Sequence, residues 1–353
     1  MAKFKFAFFT FPLTKGKETG RGLERVIDEL YIFFRAKKYR FDYLDLGFIK
    51  NELQAIFLSR KYLRQTKNIT ADCYFAVYPV SGIFPALAKK RPLVTAIHDM
   101  VPYNVFGYSN RIKYSFKRWC IKYSAIKSDH IIVGFRSNKE QLKELFNLPD
   151  EKFTIIPYAV NHKTYYLDRK IKKVPGRIAF LGEAKRSKGM DTAIYAFLEV
   201  IKKHTEAKLV LASRGAEFEK MKTLARKILP VGSYEFVGFV PERKMREFYA
   251  RTEVFLFPSR YGFGLSSLES AACGTPAIAG DTLDASDFWK DRDLLVNPEK
   301  PKELAKKILK LLDDKDFYQE KRQELLKIAK NYRWEKYSQA HYKLFEKLSK
   351  ISK

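Results

Sequence analysis

The chain has 353 residues, 46% apolar and 15% aromatic, which excludes a disordered or low-complexity protein and leaves material for two domains of ordinary size. Its 68 Lys and Arg against 40 Asp and Glu give a formal charge of +28, and both halves share it: 31 basic against 15 acidic residues in 1–170, then 37 against 25. Such a field attracts phosphates, nucleic acid or an anionic membrane surface, or reflects lysine-rich usage across a proteome, and it says nothing about fold.

Short apolar runs alternate with longer amphipathic stretches. Strands are expected at Lys3–Phe11, Phe41–Leu46, Cys73–Tyr78, Leu93–Ile97, His130–Val133 and Phe153–Ile156. Helices are expected between them at Gly22–Arg35, Ile49–Arg64, Asn110–Ile126 and Asn138–Phe146. The opening run Phe6–Leu13 is short, contains Pro12 and lacks a small-residue cleavage site, so it reads as a buried first strand and not as a signal peptide. A turn-prone stretch, Tyr158–Gly176, interrupts the pattern, which restarts with strand Arg177–Leu181 and helix Gly189–Lys203. Strands follow at Lys208–Ala212, Glu235–Val237, Val254–Phe257 and Pro276–Ala279, with helices at Ala216–Ile228, Arg243–Ala250, Leu265–Cys273 and Pro301–Leu312. The last forty residues are helical and charged. This alternation predicts an α/β protein of two doubly wound domains, divided near residue 165. No run approaches the 18 or so apolar residues of a membrane span. Cys73, Cys120 and Cys273 are widely spaced and form no CxxC pair, which argues against a disulfide framework or zinc ribbon and fits a reducing cytoplasm.

Ligands of open parallel sheets gather at the carboxyl ends of strands, so glycine-bearing strand-to-helix turns are the candidate sites. Gly20-Arg21-Gly22 follows the first strand but lacks the third glycine of a dinucleotide fingerprint. In Phe180–Gly189, the cations Lys185, Arg186 and Lys188 crowd a helix N-terminus, an unfavourable placement unless an anion binds there. Phe257–Pro276 runs from a strand through Tyr261-Gly262-Phe263-Gly264 into a helix opening at Leu265-Ser266 and carrying Glu269. Its small residues admit a close ligand, and a carboxylate can grip the vicinal hydroxyls of a ribose. Arg111–Lys127 holds six basic residues and no acid, with Ile112, Phe116, Trp119, Tyr123 and Ile126 on one helical face. That face is expected to cover the sheet, with attachment to anionic lipid as a second reading. No RNP-like, helix-turn-helix or zinc signature supports a specific nucleic-acid partner.

Phe263-Gly264, Leu268-Glu269 and Cys273-Gly274-Thr275-Pro276 resemble, at matching spacing, the retaining nucleotide-sugar glycosyltransferases of the GT-B fold, glycosyltransferase family 4. Gly20–Gly22, His98-Asp99, Ile156-Pro157, Lys188-Gly189, Gly238-Phe239-Val240 and the Leu294–Pro298 run extend the resemblance over nearly the whole chain. It implies two Rossmann-like domains facing across a cleft: an acceptor-side domain at 1–165, a donor-binding domain at 166–330, and a helical segment at 331–353 that returns to the first. It also implies transfer of a sugar from a nucleotide-sugar donor to a hydroxyl of a glycan or lipid-linked acceptor, with retention and without a metal or other cofactor. A cytoplasmic protein, peripheral on the inner face of the membrane, would suit such acceptors.

By the same resemblance, Lys188 and the N–H groups of Gly264, Leu265 and Ser266 meet the diphosphate, and Glu269 meets the ribose. Val240 meets the base, His98 the donor sugar, and Gly20 and Gly22 form the turn near the phosphates. Two positions depart from the family. Glu183 stands where an arginine is usual, and Lys185 or Arg186 is placed to compensate. Tyr261 replaces a sugar-binding glutamate, in a stretch (Ser259–Gly262) that reads as one residue short. These departures keep open a rival reading, a non-catalytic GT-B scaffold that binds a glycan, nucleotide or protein.

Overall fold

Consecutive apolar residues become central strands here because helices cover both faces of each sheet. The computed structural model describes residues 4–10, 22–45, 52–98, 100, 103, 111–289 and 292–351. It divides the chain into two units: Met1–Tyr158 with Trp334–Lys353, and Ala159–Arg333. The first unit contains β1 (Lys5–Thr10), α1 (Gly22–Ala36), β2 (Arg40–Asp45), α2 (Glu52–Lys67), β3 (Cys73–Ala76) and α3 (Pro79–Leu87). It continues with β4 (Leu93–Ile97), α4 (Arg111–Lys127), β5 (His130–Val133), α5 (Arg136–Phe146) and β6 (Phe153–Ile155). All six strands are parallel, in the order β2-β1-β3-β4-β5-β6, so the order reverses between β1 and β3.

The second unit repeats the plan. Its elements are β7 (Arg177–Leu181), α6 (Met190–Ile201), β8 (Lys208–Ala212), α7 (Phe218–Ile228), β9 (Tyr234–Phe236), α8 (Glu242–Arg251) and β10 (Val254–Phe257). After these come α9 (Leu265–Ala272), β11 (Ala277–Gly280), α10 (Leu283–Phe288), β12 (Leu295–Val296), α11 (Pro301–Asp313) and α12 (Lys315–Asn331). The sheet is parallel in the order β12-β11-β10-β7-β8-β9, and its reversal falls between β7 and β10. The two loops richest in candidate residues leave the two strands beside that reversal.

The terminal helix α13 (Trp334–Ile351) belongs to the first unit. Its Phe345 is fully buried, with ring centroids 4.7 Å from Phe75 and 5.4 Å from Phe6, and Tyr342 stacks on Tyr39 at 3.7 Å. The chain passes between units at 158/159 and 333/334, where Val160 donates its N–H to the Tyr332 carbonyl at 3.1 Å.

One sequence expectation about packing is overturned. The face of α4 turned to the protein is Cys120, Ile121, Ser124 and Ala125, all buried, whereas Trp119 and Ile126 are exposed and Phe116 and Tyr123 half-buried. The cause is close approach. Ser124 Oγ donates to the Pro79 carbonyl, and a Cβ on Gly82 would lie 2.8 Å from Thr95 Oγ1 and 3.2 Å from Ser124 Oγ. At Ser124 only a small side chain fits between α4, α3 and β4, and the aromatic row lies on the outward face.

Candidate functional site

In the second unit the loops after β7 and β10 are laced together. Ser187 and Lys188 lie in a short 3-10 turn that ends at Gly189, whose φ of +77° is left-handed. A Cβ at Gly189 would come within 1.9 Å of the Pro258 carbonyl oxygen, so only glycine allows the contact. From the other side, Ser259 Oγ and the Arg260 N–H both donate to the Ser187 carbonyl, at 3.0 and 2.9 Å. The Arg260 guanidinium grips Asp191 with two bonds of 3.0 and 3.1 Å, donates to the Arg186 carbonyl and pairs with Glu299. Nothing in the sequence singled out Arg260; its partners are about 40 to 75 residues away in the chain.

This lacing sets Lys188 beside the start of α9. Lys188 Nζ lies 5.6 Å from the centre of the Phe257 ring, and a Cβ on Gly264 would meet the same ring at 2.6 Å. Gly264 has no side chain to cap the helix, and the first-turn N–H groups at Leu265 and Ser266 have no intrahelical acceptor. A cation and a helix N-terminus on one aromatic plate suit an anion such as a diphosphate. Phe263 is buried against Phe288 at 4.4 Å and Trp289 at 5.0 Å, which anchors the turn. Glu269 is buried one turn further on, accepting a 3.0 Å hydrogen bond from the Tyr249 hydroxyl. Tyr249, unmarked in the sequence, thus fixes one carboxylate oxygen.

Lys185 and Arg186, on the same β7 loop, pair with acids nearby. Lys185 pairs with Glu183 at 2.8 Å, so the unusual acidic residue carries its own counter-charge. Arg186 lies 3.7 Å from Glu299, and its N–H donates to Glu217 at 3.0 Å. Tyr261 is exposed, in a tight turn where its N–H donates to Ser259 Oγ at 3.3 Å, the same hydroxyl lies 2.6 Å from its carbonyl and shares its one proton with the Ser187 contact, and Gly262 has φ +70°. Val240 is half-buried beyond β9, next to Phe239, over which Arg214 stacks at 4.6 Å.

In the first unit, His98 follows β4. Its Nδ1 is 2.9 Å from the Tyr158 hydroxyl, and its carbonyl accepts from Asn138 at 3.2 Å. Burial pushes the imidazole down to about 4, opposed weakly by the Val77 backbone, so the ring is neutral at pH 7. The Tyr158 ring lies over Gly134, where a Cβ would meet it at 2.5 Å. Gly22 opens α1, while Gly20 and Asp99 lie outside the described residues. Among the described residues, no three His, Cys, Asp or Glu side chains converge to hold a metal ion.

Two parallel doubly wound units with candidate loops at the sheet reversal define the GT-B class of transferases. The profile described as Glycosyl transferases group 1 matches residues 168–332, and that of Glycosyltransferase Family 4 matches residues 20–164. The chain belongs to this family, the GT-B glycosyltransferases of family 4. It is 26% identical over 230 residues to an uncharacterized glycosyltransferase of Methanocaldococcus jannaschii, covering 61% of this chain and only 58% of that relative. Among solved structures, sucrose-phosphate synthase of Thermosynechococcus elongatus matches with a TM-score of 0.83 at 18% identity, over 98% of both chains. HepE of Anabaena, in complex with UDP and glucose, matches with a TM-score of 0.76 at 14% identity, over 98% of this chain and all of that one.

Proposed function

We propose that the protein is a retaining glycosyltransferase that moves a sugar from a nucleotide-sugar donor to a hydroxyl of a glycan or lipid-linked acceptor, without a metal. The observation that carries this reading is the placement of Lys188 and the uncapped α9 N-terminus on the Phe257 ring. As the bond to the anomeric carbon breaks, negative charge grows on the diphosphate, and a fixed cation with helix N–H groups stabilises that charge more than the ground state. Glu269 receives the ribose hydroxyls and Val240 the base. His98, held by Tyr158 at the end of β4, is a neutral hydrogen-bonding ring at the position that the family resemblance assigns to the donor sugar. The bound UDP of HepE motivates starting with uridine donors. The three cysteines are buried, with their thiols pushed up by that burial, so they are poor nucleophiles and take no part in the proposed transfer.

Calorimetric titration with UDP-, GDP- and ADP-sugars, followed by transfer to glycan and lipid-linked acceptors with and without chelator, tests the reading. One donor is expected to bind, turn over unchanged in chelator, and give a product of the donor's own anomeric configuration by NMR. Lys188→Ala and Glu269→Ala are each expected to lower turnover at least about tenfold with the fold intact. Equal turnover in both variants defeats the assignment. The Glu183–Lys185 pair and Tyr261 favour one rival, a scaffold that binds donor without transferring it. Saturable binding with no turnover on any acceptor class selects it.

A further inference from the structure

The outward face of α4 has no use in the reading above. Phe116, Trp119 and Tyr123 form a continuous aromatic ladder, with ring centroids 6.0 and 5.3 Å apart, and Ile126 extends it. The row runs about 15 Å along the helix and is centred roughly 140° around it from the buried Cys120, Ile121, Ser124 and Ala125. Trp119 is 49% exposed and Ile126 44%. Exposed Lys122 lies on one side of the row and exposed Lys127 on the other, and the helix has six basic residues and no acidic one. Beyond Ile126 the row ends at a cavity of about 390 Å³ that Arg91, Lys127 and Lys152 share with Asp129 and Glu151. Those two acids are the counter-charges to this end of the face, and Arg91 already takes Asp129 at 2.8 Å.

We infer that α4 is a membrane-docking face, with Trp119 and Ile126 entering the headgroup boundary of an anionic bilayer and Lys122 and Lys127 reaching its phosphates. Charge complementarity selects this occupant. An aromatic row that is apolar at its centre, wet at its edges and flanked by Lys122 and Lys127 matches a surface that is apolar beneath and anionic above. Indole and phenol rings favour that depth, and lysine stems lie along the apolar row while their charges stay in the headgroups. The interaction requires no donor and does not depend on the transferase reading.

Among the three tryptophans, Trp289 is 1% exposed and Trp334 4%, so a change of emission wavelength on docking, or its quenching from the lipid, reports on Trp119. The full-length protein is mixed with vesicles of phosphatidylcholine alone, or of three parts phosphatidylcholine to one of phosphatidylglycerol. Flotation with the anionic vesicles only, a blue shift and quenching by brominated acyl chains are expected. Trp119→Ala with Ile126→Ser, and separately Lys122→Glu with Lys127→Glu, are expected to weaken partitioning at least about tenfold with unchanged melting. Equal partitioning of either double variant, or no preference for phosphatidylglycerol, overturns the proposal. So does a blue shift that grows with protein concentration in the absence of vesicles, since a second copy then covers the face.

Discussion

Arg260 shows how a single side chain can hold a site it need not touch. Its guanidinium ties Asp191 and the Arg186 carbonyl on one loop to Glu299 on another, and its own N–H joins Ser187. Hydrogen bonds to charged partners contribute about 1.5–3 kcal/mol each when deletion leaves the partner unpaired, although such terms do not add in full. Arg260→Ala is expected to lower unfolding free energy by about 2–3 kcal/mol in urea titration and to weaken donor binding, because the turn carrying Lys188 loses its clasp. Arg260→Lys restores charge without the two-pronged geometry and is expected to recover less than half of that loss. Full recovery by lysine places the effect in charge alone. The residues legible in the sequence are those with a local signature: Lys188 before a glycine, Glu269 on a helix of small residues, His98 at a strand end. Tyr158, Tyr249 and Arg260 carry no such signature. Their importance arises from partners 20 to 74 residues away, a distance that spacing along one chain does not reveal.

Elements were legible wherever one physical cause dominated. β4, β5, β7, β8 and β10 begin and end where the apolar runs do, since strands covered on both faces have no polar side to blur the pattern. α3 was missed because Pro79, Gly82 and Pro85 argue against a helix, whereas Pro79 is acceptable in a first turn and Ser81 accepts the Tyr78 N–H at 3.1 Å. α4 was found with the wrong face inward, because hydrophobicity ranks Trp119 above Ser124 while the seam against α3 admits only the smaller. The turn from β7 into α6 allows a sharper test of backbone geometry. Gly189 and Gly232 both have positive φ, +77° and +86°, but a Cβ at Gly232 meets nothing within 4 Å. Gly232→Ala is therefore expected to cost only the conformational penalty, about 1 kcal/mol. Gly189→Ala adds collision with the Pro258 backbone and is expected to cost at least twice as much, with loss of donor binding. Similar melting of the two variants would mean that the loops separate freely, and the clasp between them has no energetic weight.

At the scale of the whole chain, part of the charge of +28 has a local use: a cation at the proposed diphosphate site and a basic face on α4, while Lys185 and Arg186 are paired with Glu183 and Glu299. Acid sensitivity is distributed less evenly. His98, His130 and His341 all belong to the first unit, and burial is the leading cause of depression in each, to about 4, 4 and 3. Lys347 and Lys152 add repulsion at His130, and His98 adds it at His341, where the Tyr337 backbone works the other way. In the unfolded chain these rings titrate near 6.5, so between that pH and about 4 the unfolded state binds more protons than the folded one. The stabilisation is complete above pH 6.5 and is lost as pH falls toward 4, roughly 3 kcal/mol for a ring displaced as far as His130. Hydrogen exchange followed from pH 7 to 4.5, corrected for intrinsic rates, is expected to show protection falling in β1, β3, β4 and α13 well before it falls in β7, β8 and β10. His341→Leu removes one of the three groups from the apolar surroundings of Phe75 and Phe345, and its protection should decline less steeply with acid even if its stability at pH 7 is lower. Parallel curves for wild type and variant would take His341 out of the acid response and leave it to the carboxylates, which protonate at lower pH in both units.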